Sequence, residues 1–209
     1  MYRILCFGDS ITYGTCDEKS LGWPGRLRIN AEKSAEGNRV FNLGIGGETT
    51  KQLLERINSE CEARIDLRKN HEYIITIATG TNDAKGTPNL LTATEVKIKL
   101  EEYEFNLKKI IATAQTFTKN IYVIGLTPVD EKRTNPIIFA SGPACFSNKI
   151  EKAFNKTAKE VAKKMNAKFI DLIPEFEKLD YSKLLAEGAH PNSKGYDLMF
   201  DIIKKELRV

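Results

Sequence analysis

The N-terminal stretch reads Tyr2-Arg3-Ile4-Leu5-Cys6-Phe7-Gly8-Asp9-Ser10, a short apolar run that ends in a turn. Consecutive apolar residues are typical of a strand buried on both faces, because neither side of such a strand meets water. Four further runs of this kind lie at residues 39–43, 73–78, 121–126 and 168–172. The intervals between the runs are too long for hairpins and hold helical patterns. This alternation predicts a five-stranded parallel sheet with helices on both faces, a three-layer α/β/α fold.

The predicted helices are amphipathic. The longest lies between the third and fourth strands, where apolar residues recur at helical spacing: Val96, Leu100, Tyr103, Leu107, Ile110, Ile111 and Ala114. Similar patterns cover residues 53–61, 150–165 and 198–207, and a less regular one covers 23–35. No repeat and no shift in composition marks a boundary, so we expect residues 1–209 to form a single domain.

Composition and charge exclude several classes of protein. The chain has 209 residues, of which 41% are hydrophobic and 29% charged, and this balance indicates a globular protein. Its 32 basic and 28 acidic residues are interspersed, so we expect no nucleic-acid partner. There are two histidines, His71 and His190, which rules out a zinc site built from three histidines. We expect no metal site and no cofactor.

Cysteine spacing and hydropathy bear on the compartment. The four cysteines are scattered without a Cys-x-x-Cys motif, which favours free thiols in a reducing cytoplasm. The apolar run at residues 2–7 is too short for a signal peptide, and no segment is long enough to span a membrane. We therefore expect a cytoplasmic protein without integral membrane association, a mature secreted chain being the alternative.

Polar residues and glycines follow the predicted strands. Ser10 comes after the first strand, a glycine-rich run with Gly46 and Gly47 after the second, and Asn82 after the third, while His190 precedes the last helix. The carboxyl ends of parallel strands share one edge of the sheet, where sites of such folds lie. Together these residues supply a nucleophile, oxyanion donors and a base. The irregular segment 127–147, with its Ile-Ile-Phe cluster, is predicted to be a lid or a pocket wall.

Four sequence blocks make the chain resemble the GDSL esterase/lipase family, specifically its SGNH hydrolase group. The blocks are Phe7-Gly8-Asp9-Ser10-Ile11-Thr12, Gly46-Gly47-Glu48-Thr49, Gly80-Thr81-Asn82-Asp83 and Glu187-Gly188-Ala189-His190-Pro191. They occur in the family's order and span residues 7–191. The resemblance implies a three-layer α/β/α sandwich with the flavodoxin-like strand order 2-1-3-4-5, in agreement with the alternation of strands and helices.

The resemblance also implies the chemistry of a serine hydrolase that cleaves carboxylic esters through an acyl-Ser10 intermediate. His190 would be the base, and the oxyanion would be bound by the backbone N–H groups of Ser10 and Gly47 and by the amide of Asn82. Family members act on lipid esters, acetylated sugars, thioesters and aryl esters. A small acyl or acetyl ester is the expected small-molecule substrate.

One position departs from the family's pattern, because Glu187 stands where the triad acid is normally aspartate. A glutamate can still orient an imidazole, so we expect a Ser10–His190–Glu187 triad, with a Ser–His dyad and a solvated Glu187 as the alternative. Asp9 is interpreted as a cap of the first helix or a bond to adjacent loops, and Asp83 as the holder of its own turn. Trp23 is interpreted as a packing anchor.

Two functions from other classes stay open at this point. A flavodoxin-like binding module would have the same strand order, but the loop at residues 8–14 lacks the run of small residues that cradles a phosphate. A catalytically degenerate hydrolase scaffold would keep the fold without esterase activity. Hydrolysis of acetyl esters separates both of these from the enzyme.

Overall fold

The computed structural model describes residues 1–19, 21–35, 37–86 and 96–209. Its seven strands, in chain order, are β1 (Tyr2–Gly8), β2 (Arg39–Gly44), β3 (Glu72–Ala78), β4 (Ile121–Ile124), β5 (Ile137–Phe139), β6 (Gly142–Ala144) and β7 (Lys168–Ile170). Five of them form one parallel sheet in the order β2-β1-β3-β4-β7, and β5 and β6 form a separate antiparallel hairpin. The predicted order 2-1-3-4-5 is confirmed, since β7 is the fifth strand of the main sheet.

Eight helices lie between and after the strands in the part of the chain that the structure describes. They are α1 (Ser10–Tyr13), α2 (Gly22–Ser34), α3 (Thr50–Arg64), α4 (Thr81–Ala84), α5 (Leu100–Gln115), α6 (Asn148–Lys164), α7 (Ile173–Glu177) and α8 (Ser193–Leu207), with a short 3₁₀ helix at Tyr181–Leu184. Within the described ranges, none of these helices has both the length and the apolar character that crossing a membrane requires.

The sheet is buried on both faces, as the consecutive apolar residues of β1 predict. Leu5 and Phe7 pack into a cluster with apolar residues of α3, α5 and α6. Ile4 and Cys6 point to the opposite face and join a cluster with α2 and α8. The second cluster contains Trp23, which is fully buried, so the packing role expected for this residue is confirmed.

The start of α5 differs from the prediction. The helix begins at Leu100 and not at Val96. Val96 instead forms an isolated antiparallel bridge with Gly86. The apolar side chain at position 96 has the correct helical spacing, but its backbone bridges to Gly86, ten positions earlier, and does not continue the helix.

Strand register brings three turns to one edge of the sheet. Gly8, the last residue of β1, lies opposite Gly44 at the end of β2 and opposite Ala78 at the end of β3. The segments that follow these strands therefore leave the sheet side by side. They carry Ser10, the 45–49 loop and Asn82.

Candidate active site

Ser10, His190 and Glu187 form a continuous hydrogen-bonded chain. Ser10 Oγ lies 2.7 Å from His190 Nε2, although the two residues are 180 positions apart. The other ring nitrogen, Nδ1, is in hydrogen-bond contact with Glu187 Oε1. A carboxylate can only accept, so Nδ1 carries the proton and Nε2 accepts from the serine hydroxyl. All three residues are partly exposed.

The Glu187 carboxylate is ionised in this arrangement. Its burial would raise the pKa, but the hydrogen bond from the imidazole and the charge of His190 outweigh burial and hold the pKa below its usual range. Glu187 thus faces the ring as a negative charge.

A tight turn places Glu187 and His190 on the same side. Leu185 and Pro191 form an antiparallel bridge that closes residues 186–190 into a loop. Gly188 lies at the tip with φ +112°, a conformation that L side chains rarely adopt. A Cβ at this position would also approach Arg133 Cβ to 2.9 Å, so glycine is required for both reasons.

Arg133 fastens this turn to the rest of the molecule. Its guanidinium donates to the carbonyls of Ala186 and Ser182, each at 2.7 Å. The backbone N–H of Asp130 donates to the carbonyl of Gly188 at 2.8 Å. The segment after β4 therefore holds the turn that carries His190.

A second clamp, centred on Arg26, joins the Ser10 segment to the His190 segment. The Arg26 guanidinium donates to Asp17 Oδ2 at 2.6 Å and to the carbonyl of Ser193 at 3.1 Å. It also pairs with Asp197 on α8 at 2.6 Å. The side chains of Arg26 and Asp17 are 7% and 0% exposed, so this is a buried ion pair. The clamp connects the segment that follows Ser10 with the segment that follows His190. Its residues lie outside the four sequence blocks that carry the site.

The 45–49 loop presents Gly47 to the same cavity. Gly47 has φ +77°, so its backbone needs glycine, and a Cβ there would meet no atom within 4 Å. The backbone N–H of Gly47 has no hydrogen-bond partner among the described residues. The next residue, Glu48, anchors the loop because its buried carboxylate pairs with Arg56 at 2.6 Å. The N–H of Ile45 donates to the Gly8 carbonyl at 2.9 Å.

Asn82 lies at the start of α4 and also lines the cavity. Its amide nitrogen donates to the Glu48 carbonyl at 3.1 Å, which ties it to the 45–49 loop. A longer contact of 3.4 Å joins the same nitrogen to Asp9 Oδ2. One amide hydrogen is therefore fixed, and the second is only weakly engaged.

Two buried carboxylates organise the turns beneath the site. Asp9 accepts from the N–H of Ile11 at 2.9 Å and so caps α1, as expected. Asp83 differs from expectation, because it accepts from the N–H of Thr50 at 3.0 Å and from its hydroxyl instead of holding its own turn. Burial raises the pKa of Asp9 to about 6 and that of Asp83 to about 7.

The cavity has a volume of about 830 Å³ and contains Ser10 and His190 in its lining. The β5–β6 hairpin supplies part of its apolar wall through Phe139, and Phe146 follows just after the hairpin. The ring centroid of Phe139 lies 5.9 Å from that of His190 in an edge-on arrangement. The 127–147 segment thus takes part in a pocket wall, one of the two roles predicted for it.

Cys16 brings a thiol close to the acid and the base. Ligand atoms of Cys16, Glu187 and His190 lie within 4.8 Å of one another, a group that could hold a soft metal ion. The imidazole and carboxylate atoms are the ones that hydrogen-bond in the chain from Ser10. A metal ion in this place would compete with that chain of bonds, so it would not serve as a partner of the serine.

The structure brings together every residue that the sequence nominated for the site. Ser10, His190 and Glu187 are bonded in series, and Gly47 and Asn82 line the same cavity. The sequence reasoning missed the residues that hold them, chiefly Arg26, Asp17 and Arg133, and gave no signal for the approach of Cys16. His71 lies just before β3, at the opposite end of the sheet from the site.

Known proteins resemble this chain over nearly its whole length. The GDSL-like Lipase/Acylhydrolase family matches residues 6–198. An acetylxylan esterase from Geobacillus stearothermophilus is 23% identical over 220 residues, which cover 98% of this chain and 93% of that protein. Solved variants of the latter that are described as catalytic mutants replace a serine, an aspartate and a histidine with alanine.

Solved structures share the fold. A lipase/acylhydrolase from Enterococcus faecalis superposes with a TM-score of 0.77 at 25% identity, covering 100% of this chain and 96% of the other. A GDSL lipolytic protein from Veillonella parvula gives a TM-score of 0.71 at 22% identity, covering 98% and 97%. The family match decides against a flavodoxin-like binding module. The chain belongs to the GDSL-like Lipase/Acylhydrolase family and is a carboxylic ester hydrolase.

Proposed function

We propose that the protein hydrolyses small acyl esters, acetyl esters above all, through a covalent acyl-Ser10 intermediate. The observation that carries the proposal is the hydrogen-bonded series Ser10–His190–Glu187 opening into a cavity that Gly47 and Asn82 also line. The similarity to an acetylxylan esterase supports an acetyl group as the acyl part.

The first half of the reaction forms the acyl-enzyme. Ser10 Oγ attacks the ester carbonyl carbon while its proton moves to His190 Nε2, 2.7 Å away. The negative charge that develops on the carbonyl oxygen is stabilised by the backbone N–H groups of Ser10 and Gly47 and by the second amide hydrogen of Asn82. Loss of one such donor costs roughly 3–4 kcal/mol in the transition state. The C–O bond to the alcohol then breaks, and His190 gives the proton to the leaving oxygen.

The second half reverses these steps with water. The oxygen of the water attacks the acyl carbon while His190 takes a proton from this water. The ester bond to Ser10 then breaks, and His190 returns the proton to Oγ. Glu187 accepts from Nδ1 throughout, so it fixes the tautomer and stabilises the imidazolium. The aspartate of the related esterase precedes its catalytic histidine by three positions, the same spacing as Glu187 and His190, and this supports the triad over the dyad.

The state of the cysteines supports a cytoplasmic protein. All four are free, and Cys6, Cys61 and Cys145 are buried, which is the state expected of thiols in a reducing compartment. We propose the cytoplasm as its location on this basis.

The test uses 4-nitrophenyl acetate with the wild type and two variants of the serine. Ser10→Ala should lose about 10³-fold or more in kcat, because the nucleophile is gone. Ser10→Cys tests whether the side chain at position 10 is the nucleophile, since its thiol should form a thioester that accumulates in a burst. A mass increase of one acetyl group on the peptide that contains residue 10 would identify the intermediate. Full activity of Ser10→Ala, or acetyl on another residue, would contradict the proposal.

A further inference from the structure

Two lysines lie in the wall of the cavity that contains Ser10 and His190. Lys85 is half-buried and Lys97 is exposed, and both side chains belong to the lining. Among the described lining residues there is no aspartate or glutamate. The described wall therefore carries a positive charge that no acid of the same wall offsets.

The backbone holds these two lysines opposite each other. Gly86 and Val96 form an antiparallel bridge, and the N–H of Lys97 donates to the Lys85 carbonyl at 2.9 Å. Like charges directly opposite on paired chains repel each other. Burial, together with the charge of Lys97, lowers the pKa of Lys85. A bound anion between the ammonium groups would remove this repulsion.

Phe139 links Lys85 to the catalytic base. The Lys85 ammonium lies 5.7 Å from the centroid of the Phe139 ring, and that ring lies 5.9 Å from the His190 ring. The ammonium and the imidazole thus both lie next to the same aromatic ring. Apolar walls beside a charged group exclude water and strengthen its field in the cavity.

Other lysines of the chain are engaged differently. Lys152 and Lys159 lie on α6 and pair with Glu177 at 2.7 Å and Asp171 at 3.3 Å. These are exposed ion pairs, which contribute little to stability. Lys85 differs because it lines the cavity, next to Phe139.

We propose that Lys85, assisted by Lys97, selects ester substrates whose alcohol part carries an oxyanion, a carboxylate or a phosphate. This inference rests on the proposed function and adds the substrate class to it. The acyl part lies at Ser10, and the anionic group of the alcohol lies next to Phe139 against the two ammonium groups. Charge-assisted hydrogen bonds from lysine to carboxylate or phosphate are the interaction that would hold it.

Three acetate esters that share a benzene ring test the inference. They are 4-acetoxybenzoate, 4-acetoxyphenyl phosphate and the neutral 4-acetoxybenzamide. Each enzymatic kcat/KM is divided by the rate constant for hydrolysis of the same ester by hydroxide, which corrects for differences in intrinsic reactivity. At low ionic strength we expect the wild type to prefer one of the charged esters over the amide by about tenfold, mainly through KM. The two charged arms distinguish carboxylate from phosphate. Added salt should reduce the preference, because it screens a partly exposed charge.

Variants of the lysines assign the preference to its source. Lys85→Met should remove most of the preference, which is the ratio of normalised kcat/KM for the charged ester to that for the neutral ester. Lys97→Met should reduce this ratio less, and Lys85→Arg should retain it. The matched control is Lys152→Met, which removes a surface lysine outside the cavity and should keep the wild-type ratio. Circular dichroism checks that each variant is folded.

The outcomes separate this inference from the proposed function. Hydrolysis of the neutral ester that depends on Ser10, with no preference for either charged ester, would overturn the inference and leave the function standing. A preference that survives in Lys85→Met would also overturn it. Hydrolysis of none of the three esters would contradict the proposed function and the inference with it.

Discussion

Glu187 holds both the ring and the backbone of His190. Its Oε1 is in hydrogen-bond contact with Nδ1, and its Oε2 lies 3.4 Å from the backbone nitrogen of the same residue. The offset of three positions within one turn makes this double contact available to a side chain as long as glutamate.

Replacing Glu187 tests whether this contact is catalytic. We expect Glu187→Gln to lower kcat by about 10²–10⁴-fold with little change in KM, because a neutral amide neither fixes the tautomer nor stabilises the imidazolium. Glu187→Asp keeps the charge but is one methylene shorter, so an intermediate loss is expected. Steady-state kinetics with 4-nitrophenyl acetate measure both variants. A loss of only a few-fold in Glu187→Gln would identify a Ser10–His190 dyad.

Local patterns in the sequence were sufficient for the sheet and for the nominated site. The apolar runs are local features, and the register of parallel strands then brings the residues that follow them to one edge. The hairpin formed by Ile137–Phe139 and Gly142–Ala144 was not predicted, since its strands have three residues each and no alternating pattern. Val96 was misassigned to a helix because helical spacing reports only the positions of apolar side chains and gives no sign of a backbone bridge to Gly86.

The residues that align the site were beyond sequence reasoning for a different reason. Arg26 lies nine positions from Asp17 and 171 positions from Asp197, and it contacts both. Asp83 bonds Thr50, which is 33 positions away. A charged residue in a sequence is by default a solvated one, and only the fold shows which charges are buried and paired.

Arg26 is expected to be a main determinant of stability. Arg26→Leu leaves the buried carboxylate of Asp17 without its partner, and such a loss costs about 3–5 kcal/mol. Urea unfolding followed by circular dichroism measures the change. The matched control is Arg28→Leu on the same helix, whose guanidinium is exposed and pairs with Glu32 at 3.1 Å, and which should cost less than about 1 kcal/mol. Equal effects of the two variants would show that the clamp contributes nothing beyond a surface pair.

Gly47 and Gly46 form a natural pair for testing the 45–49 loop. A Cβ at either position would meet no atom within 4 Å, but only Gly47 has a positive φ, at +77°. Gly47→Ala should therefore lower stability by about 1–2 kcal/mol. It should also reduce kcat, because the N–H that we propose as an oxyanion donor moves when the backbone relaxes. Gly46→Ala should leave the unfolding midpoint nearly unchanged. Thermal unfolding and kcat for both variants decide the point, and indistinguishable variants would contradict the role given to the backbone.

Because of the buried residue Glu151, we expect the folded protein to lose stability as the pH rises. Glu151 lies in the first turn of α6, is 1% exposed, and its carboxyl oxygens have no hydrogen-bond partner among the described residues. Burial raises its pKa well above the usual value, and the charges of Asp9 and Asp83 raise it further. Because the folded state binds the proton more tightly than the unfolded state, stability falls as pH rises from the unfolded pKa towards the folded one, by about 1.4 kcal/mol per pH unit.

The variant Glu151→Gln removes this titration. We expect its stability relative to wild type to increase as the pH rises from about 5, and to stop increasing once the pH exceeds the folded pKa of Glu151. Urea midpoints at intervals of roughly one pH unit measure this difference. Glu160→Gln, at an exposed position of the same helix, should follow the wild type across this range. A constant difference between Glu151→Gln and wild type would show that Glu151 is not protonated in the folded protein at neutral pH.

Cys16 is expected to react slowly although it is exposed. Partial desolvation raises the pKa of its thiol to about 11, and the Glu187 carboxylate contributes by repelling the thiolate. A pKa about two units above that of an ordinary thiol reduces the fraction of thiolate about 100-fold at pH 8. A more basic thiolate is also a better nucleophile, which offsets this loss by a factor of about ten. Alkylation by iodoacetamide at pH 8 should therefore be about tenfold slower than that of an ordinary exposed thiol.

Glu187→Gln should accelerate this alkylation, because it removes the negative charge that opposes the thiolate. Mass spectrometry after timed labelling follows Cys16 directly, since the other three cysteines are buried. The pH profile of the rate should rise up to about pH 11 in the wild type and reach its plateau earlier in the variant. Identical profiles would mean that the carboxylate does not act on the thiol. A shifted profile would instead show that Glu187 is ionised beside His190, and it would show this independently of the esterase assay.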